Sequence, residues 1–349
     1  MSNSLVSINL VVLNGEKYIR YCLDAILGQT YPHELIELNI LDNGSMDGTK
    51  EIIKNWKNIS LDKLRIPKFF SLSSEKNLGM WPGQEELLKY SNGKYVLAMA
   101  VDVILDKDFV KNAVEMMGND VKIGSLQAKI YKYDLINNQP QFTRIIDTLG
   151  FNISRSRRIT NIGHGEQDVG QYDDIREVFG VEGACPFFRR EALDNCRVNG
   201  EIFDHDYFWY GDDLDFAWRM NLFGWKQILA SSIIAWHDRQ TTKSLKKSWI
   251  DYILRVPFRH QILIKKRRLD WRNTRWTIVK NDYIINILKD LPYILIREIS
   301  VLGYTLLFEP KVFLETPAFF KLLPKMLKKR KEIMAKAVAN PKEIRKFFK

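Results

Sequence analysis

Four short apolar runs punctuate the first third of the chain, and each gives way to a polar break and then to a helical pattern. Val6–Leu13 is rich in β-branched residues and ends at Asn14-Gly15; Ile19, Cys22, Leu23, Ile26 and Leu27 then recur at helical spacing up to Gly28. Leu35–Leu41 runs into DNGSMDGT, where Ser45 or Asp47 can cap a helix carrying Ile52, Ile53 and Trp56. Lys68–Leu72 precedes NLGMWPG and a helix near Gln84–Tyr90, and Tyr95–Ala100 ends at Val101-Asp102-Val103 before a helix near Phe109–Met117. Continuous apolar runs of this length suit strands buried on both faces. Strands alternating with helices form βαβ units, whose right-handed crossovers build a mostly parallel sheet. Sheets of this kind bind ligands beyond the carboxyl ends of their strands, where this chain places Asn14, Asp42–Ser45, Asn77–Gly79 and Asp102. Neither GxGxxG nor GxxxxGK[ST] is present, which argues against dinucleotide oxidoreductases and P-loop nucleotidases.

The second informative stretch is Phe203–Trp225, FDHDYFWYGDDLDFAWRMNLFGW. It sets Asp204, Asp206, Asp212, Asp213 and Asp215 among aromatic residues. After Gly211 the spacing of Leu214 and Trp218, and of Phe216, Met220 and Phe223, predicts a helix with one face in a core. Asp212 and Asp213 then stand at its positive end, and Asp215 with Arg219 makes an i,i+4 pair. Neighbouring carboxylates raise one another's pKa, a property suited to a general base. A further strand over Lys226–Ala235 leads to Trp236-His237-Asp238. Residues 132–180 are polar with weak periodicity and read as loops over a site, and Gly183 allows a close backbone approach or a turn.

Length allows a large core and two units. Cys22, Cys185 and Cys196 form no CxxC, which fits a reducing compartment and neither a disulfide framework nor a zinc site. The first residues read as a strand and not as a signal peptide. Charge is unevenly spread: residues 241–349 hold 26 Lys and Arg against 9 Asp and Glu, a net +17, so the first 240 residues carry −6 of the chain's +11. A basic tail on an acidic body points to a polyanionic partner.

The motifs VVLNGEKYIRYCLDAI, LDNGSMDGT, NLG, VLAMAVDV and FDHDYFWYGDDLDFAWRMNLFGW followed by His237, in this order, resemble glycosyltransferase family 2. The likeness covers about the first 240 residues and is nearest in style to rhamnosyltransferase-like enzymes of bacterial surface polysaccharides. It implies an α/β GT-A fold over residues 1–240, an inverting transfer from a nucleotide-sugar donor, and a divalent cation, Mg²⁺ or Mn²⁺. It implies that Leu13, Asn14, Asp42, Asn77, Gly79 and Asp102 line the donor site, that Asp102 and His237 hold the metal, and that Asp213, or Asp212, is the catalytic base. The sequence departs from the pattern at Ala100, where the family usually has an acid or amide, and in having Asp-Asp for Glu-Asp.

Residues 241–349 read as basic amphipathic helices that lie at an anionic membrane surface or form an oligomer interface. Lys289, Asp290, Arg297 and Glu298 interrupt the apolar stretch 284–308, which argues against a spanning helix. RNTRW at 272–276 is similar to the QxxRW of processive synthases, yet begins with Arg, which favours a non-processive enzyme. The resemblance thus implies a peripheral protein on the cytoplasmic face of the membrane, with a glycan or lipid-linked glycan as acceptor and no nucleic acid partner. Two rivals are a nucleic-acid-binding protein using the aromatic, basic tail and a catalytically silent sugar-nucleotide binder.

Overall fold

The computed structural model describes residues 4–63, 68–239 and 256–349. Strands β1 (Val6–Val12), β2 (Ile36–Asp42), β3 (Lys68–Ser73) and β4 (Tyr95–Ala100) lie parallel in the order β3-β2-β1-β4. Helices α1 (Ile19–Leu27), α2 (Thr49–Lys63) and α3 (Met80–Leu88) make the crossovers. Every residue of β1 and β2 is buried, as aliphatic runs covered on both faces must be. Beyond β4 the chain forms β5 (Val103–Leu105), α4 (Phe109–Asn119), β6 (Ile123–Ile136), β7 (Gln139–Thr148), and the small pair β8 (Phe151–Ile153) and β9 (Ile159–Asn161). Then follow β10 (Arg176–Glu177), β11 (Phe187–Arg189), α5 (Arg190–Asn195), α6 (Asp212–Leu222) and β12 (Lys226–His237). Strand β11 enters antiparallel between β4 and β6, and β12 lies parallel to β6.

The polar stretch expected as loops from residue 132 begins instead as a β-hairpin. Strands β6 and β7 pair as far as Ile136 and Gln139, joined by Asn137 (φ 50°) and Asn138 (φ 57°). Two positive-φ residues form the tight turn that matches strand twist. The hairpin escapes a periodicity reading because Phe142 and Ile145 stay exposed on its outer strand.

Helix α6 forms where predicted, but it is buried all round and not on one face only: every residue from Leu214 to Leu222 is buried, because the C-terminal region covers the side expected to face solvent. Trp218 is fully buried and meets Phe179 and Phe348 edge-on, at 5.4 and 5.9 Å. Truncating such a side chain to Ala costs about 3–5 kcal/mol. Phe348 belongs to the C-terminal region, which comprises α7 (Val256–Gln261), α8 (Ile264–Asn281), α9 (Ile284–Phe308), α10 (Thr316–Lys336) and α11 (Pro341–Arg345). Ile333, Ile344 and Phe348 share one core with Phe216, Trp218 and Met220. Many of its cations point inward: Arg259 meets Glu309, Arg268 and Arg272 meet Glu315, and Lys280 and Lys329 meet Asp204. Trp249 and Tyr252, counted among the tail's aromatic residues, lie outside the described residues.

Helix α9 is inverted. Asn286, Asp290 and Thr305 are buried, whereas Ile284, Leu288, Leu291, Leu295, Ile299, Leu302 and Leu306 form an exposed stripe. Asp290 accepts from Arg155, Arg157 and Arg345, and Glu298 from Arg275 and Arg297. By length and composition alone, this helix is long and apolar enough to cross a membrane.

Candidate active site

The donor side is built from strand ends. At the end of β1, Asn14 takes φ 50°, its N–H donates to Ser45 Oγ (2.9 Å), and its side-chain oxygen accepts from the Met46 N–H (2.9 Å). Leu13 beside it is 40% exposed. At the end of β2, Asp42 is buried; Oδ1 accepts from the Ser45 N–H (3.0 Å) and Oδ2 from Ser73 Oγ (3.0 Å), with Lys50 Nζ at 3.6 Å. The carboxylate therefore caps its own turn and keeps lone pairs for a further donor. Asn43 binds the segment opposite: its amide donates to Asn77 Oδ1 (3.1 Å) and to the Gly79 carbonyl (3.1 Å). Gly79 has φ 96°, and a Cβ there would stand 2.8 Å from the Phe208 carbonyl, so only glycine fits.

At the end of β4 and β12 stand Asp102 and His237. His237 Nε2 lies 3.4 Å from Asp102 Oδ2, and Nδ1 lies 2.9 Å from Asp147 Oδ2. Arg239 Nε donates to both oxygens of Asp147 (2.9 and 3.0 Å), and its terminal nitrogen reaches Glu182 Oε1 at 2.7 Å. Burial pushes the Asp147 carboxyl up, but His237 and Arg239 more than offset it and hold it at about 2. Burial disfavours a charged His237 ring, yet Asp102 and Asp147 raise it to about 10. Asp102 is likewise held below its ordinary value, because the facing imidazole outweighs burial.

This donor set fits a divalent cation, which would displace the proton on His237 Nε2 to bind there. Two ligands about 2.1 Å from one ion, in adjacent positions, lie about 3 Å apart, close to the Asp102–His237 separation. Asp147 fixes the tautomer by accepting a hydrogen bond from Nδ1–H, the carboxylate–histidine arrangement that orients a metal-binding imidazole. No group of three or more such ligands occurs among the described residues; a cation held by Asp102 and His237 would take further oxygens from phosphate and water, as is common for Mg²⁺. Ala100 contributes only backbone here, its N–H donating to the Ala184 carbonyl at 2.9 Å.

That hydrogen bond ties segment 182–184 to the end of β4, and the same segment passes the start of α6. A Cβ on Gly183 would stand 3.3 Å from Asp213 Oδ2 and 3.1 Å from the Trp81 ring, which measures how closely this backbone passes. Asp212 is buried and Asp213 half-buried at the start of α6, and neither has an ion-pair partner among the described residues. Burial, then the charge of Glu182, pushes Asp213 up to about 7. Burial and the adjacent Asp213 carboxyl hold Asp212 well above the carboxylate range.

The other three acids of the stretch are neutralised. Asp204 meets Lys280 and Lys329, Asp206 meets Lys325 and Lys329, and Asp215 meets Arg219 (3.1 Å) and Lys280 (2.8 Å). The predicted Asp215–Arg219 pair is thus present.

With this geometry in place, a model of the family described as "Glycosyl transferase family 2" matches residues 7–197. The chain belongs to glycosyl transferase family 2. The match spans the donor side and Asp102 and stops before Asp212 and His237. Among curated proteins the chain is similar to the dolichyl N-acetyl-alpha-D-glucosaminyl phosphate 3-beta-D-2,3-diacetamido-2,3-dideoxy-beta-D-glucuronosyltransferase of Methanococcus voltae. The identity is 30% over 113 residues, 32% of this chain and 33% of that one. It is similar to Glycosyltransferase AglE of Haloferax volcanii, 34% identical over 88 residues, 25% of this chain and 27% of that one. The chain therefore spans about a third of the length of these relatives. Among solved structures, GalNAc-T7 with UDP, GalNAc and Mn²⁺ aligns with a TM-score of 0.55 at 13% identity, over 79% of this chain and 51% of that one. At such identity the likeness shows a shared fold, the GT-A arrangement of a mixed sheet between helices.

Three members of this constellation escaped sequence reasoning: Asp147, Glu182 and Arg239. Each is an isolated charge with no motif. Their one sequence signal is position, since Asp147 closes a strand, Glu182 precedes Gly183, and Arg239 follows His237 by two.

Proposed function

We propose that this family 2 member is a metal-dependent inverting glycosyltransferase, which moves one sugar from a nucleoside-diphosphate donor to a hydroxyl of a glycan or lipid-linked glycan. The observation that carries the reading is the contrast within one acidic stretch. Asp213 alone combines a near-neutral pKa, partial access and contact with Gly183, one residue from the Glu182–Arg239 pair that leads to Asp102 and His237. In this reading Asp213 accepts the proton of the acceptor hydroxyl, and the oxygen attacks the anomeric carbon opposite the diphosphate. The carbon–oxygen bond to the diphosphate breaks, its electron pair leaves with the nucleoside diphosphate, and the configuration inverts. A general base supplies about 10²–10⁴-fold of such a rate. A divalent cation held by Asp102 and His237 would neutralise the charge growing on the leaving diphosphate. Asn14, Asp42 and the Asn77–Gly79 segment would seat the nucleotide.

The test is nucleoside diphosphate release from UDP-, GDP- and dTDP-sugars, dTDP-rhamnose included, with Mn²⁺ or Mg²⁺. Release for one donor, lost in Asp102→Ala, supports the reading and names the donor. Absence of turnover and of metal-dependent binding for every donor overturns it.

The same reading places the protein at a membrane, with the outward apolar stripe of α9 as the contact. The stripe suits a helix lying in the interface, and the basic tail suits anionic headgroups. Leu288→Glu with Ile299→Glu, on the exposed stripe, should abolish sedimentation with anionic vesicles while leaving Tm unchanged. Wild-type protein that self-associates and ignores vesicles assigns the stripe to a second copy instead.

A further inference from the structure

Between the donor side and the base the backbone is held in a rare conformation. Phe208 (φ 62°), Tyr210 (φ 67°) and Gly211 (φ 80°) are all left-handed. The Trp209 N–H donates to the Tyr207 carbonyl at 2.7 Å, closing a three-residue turn on Phe208. Aromatic residues adopt such angles only where their surroundings over-determine them.

The surroundings that hold the backbone here are two neighbouring side chains of the C-terminal region, Asn273 and Arg272. Asn273 of α8 is fully buried, and its amide nitrogen donates to the carbonyls of Tyr207 (3.1 Å), Trp209 (3.0 Å) and Tyr210 (2.6 Å). Its own oxygen accepts from Arg272 Nε at 3.0 Å. Arg272 also donates to the carbonyls of Asp206 (3.0 Å) and Tyr207 (3.4 Å) and is anchored by Glu315 at 2.7 Å. An amide group has two hydrogens, so at least one of them is shared between two of the three carbonyls that converge on it. The held segment borders both functional sides. The Phe208 carbonyl packs on Gly79, and Gly211 is followed directly by Asp212 and Asp213.

We propose that Asn273, braced by Arg272, is a positioning residue for the base: it clamps the Phe208–Gly211 turn and so aims Asp213 at the acceptor hydroxyl. This gives the RNTRW stretch a role as brace of the catalytic loop. The inference rests on Asp213 being the base.

The experiment compares wild type, Asn273→Ala, Gly211→Ala and Asp213→Asn in the full chain. Four quantities are read: transfer turnover, affinity for the nucleoside diphosphate with Mn²⁺, hydrogen exchange at amides 208–214, and Tm. Asn273→Ala should lower turnover about 10–100-fold, the cost of a small misplacement of a catalytic group. It should leave nucleoside diphosphate affinity within about twofold, as expected when only the transition state is affected, and speed exchange at 208–214. Gly211→Ala keeps Asn273 but sets a Cβ 3.3 Å from the Asn273 Cβ on a left-handed backbone. It should give the same split, and it carries the test if Asn273→Ala does not fold. Unchanged turnover overturns the proposal, as does a joint loss of affinity and turnover with faster exchange throughout the protein. If Asp213→Asn keeps wild-type turnover, the base assignment fails instead, and exchange at 208–214 in Asn273→Ala still shows whether the clamp exists.

Discussion

Asp204, Asp206 and Asp215 differ from Asp212 and Asp213 in what surrounds them, although all five lie within twelve residues. The first three face one arginine and three lysines, Lys280 sent back from α8 and Lys325 and Lys329 from α10. The last two form no ion pair among the described residues, and they carry raised pKa values although Arg239 acts on Asp213 from a distance. Local composition does not separate the groups; the returning C-terminal helices do. Part of the tail's positive charge is thus a structural counter-charge, and the acids it leaves uncompensated are those suited to proton transfer.

The comparison breaks most readily at the base. Asp213→Asn should reduce transfer by about 10²–10⁴-fold with Tm unchanged or higher, measured by product release alongside a thermal melt. An equal loss of Tm would put Asp213 with the structural acids. Asp204→Ala should show the reverse. It leaves Lys280 and Lys329 buried with one partner fewer, at a cost of about 3 kcal/mol in urea unfolding, the low end for a broken buried pair because Asp215 and Asp206 remain. A loss below about 1 kcal/mol would mean that these pairs behave as surface pairs.

The pH dependence of stability sharpens the contrast, because the two groups have opposite signs. Burial alone would raise Asp204, but Lys280 and Lys329 hold it far below its ordinary value. Its stabilising contribution is present above the unfolded pKa, about 4, and is lost as pH falls further. Asp213 is raised to about 7, so its contribution is complete below about pH 4 and is lost as pH rises through about 7. Melts in a pH series should show Asp204→Asn flattening the acid side and Asp213→Asn flattening the neutral side. The same flattening in both variants would remove the distinction. The smallest expected effect is at Asp147. Asp147→Asn should weaken Mn²⁺ binding to the nucleoside diphosphate complex about 10–100-fold, read by Mn²⁺ titration, while unchanged affinity would make Asp147 an anchor for Arg239 alone.

Much of the frame was legible in the sequence. Aliphatic runs at Val6–Val12 and Tyr95–Ala100 had to be buried strands, and the Leu214–Trp218 spacing had to be a helix, although its burial on every face was not legible. The residues at strand ends followed from where such sheets hold ligands. What was not legible depends on distant segments. Asp204 and Asp213 read alike until Lys280 and Lys329 arrive from 76 and 125 residues further along. The hairpin after Ile123 was hidden by an exposed outer strand. The inversion of α9 was hidden because Asp290 and Glu298 look like interruptions until Arg155, Arg157, Arg275 and Arg345 are seen to receive them.

The most direct test of the central claim, that the uncompensated Asp213 is the base, is the pH dependence of kcat/KM for transfer from about pH 5 to about pH 9. The account predicts a rise of about tenfold per pH unit below about 7 and a plateau above it, as for a single base that must lose its proton, with the limb absent in Asp213→Asn. A flat profile in the wild type, or the same limb in the variant, would contradict it.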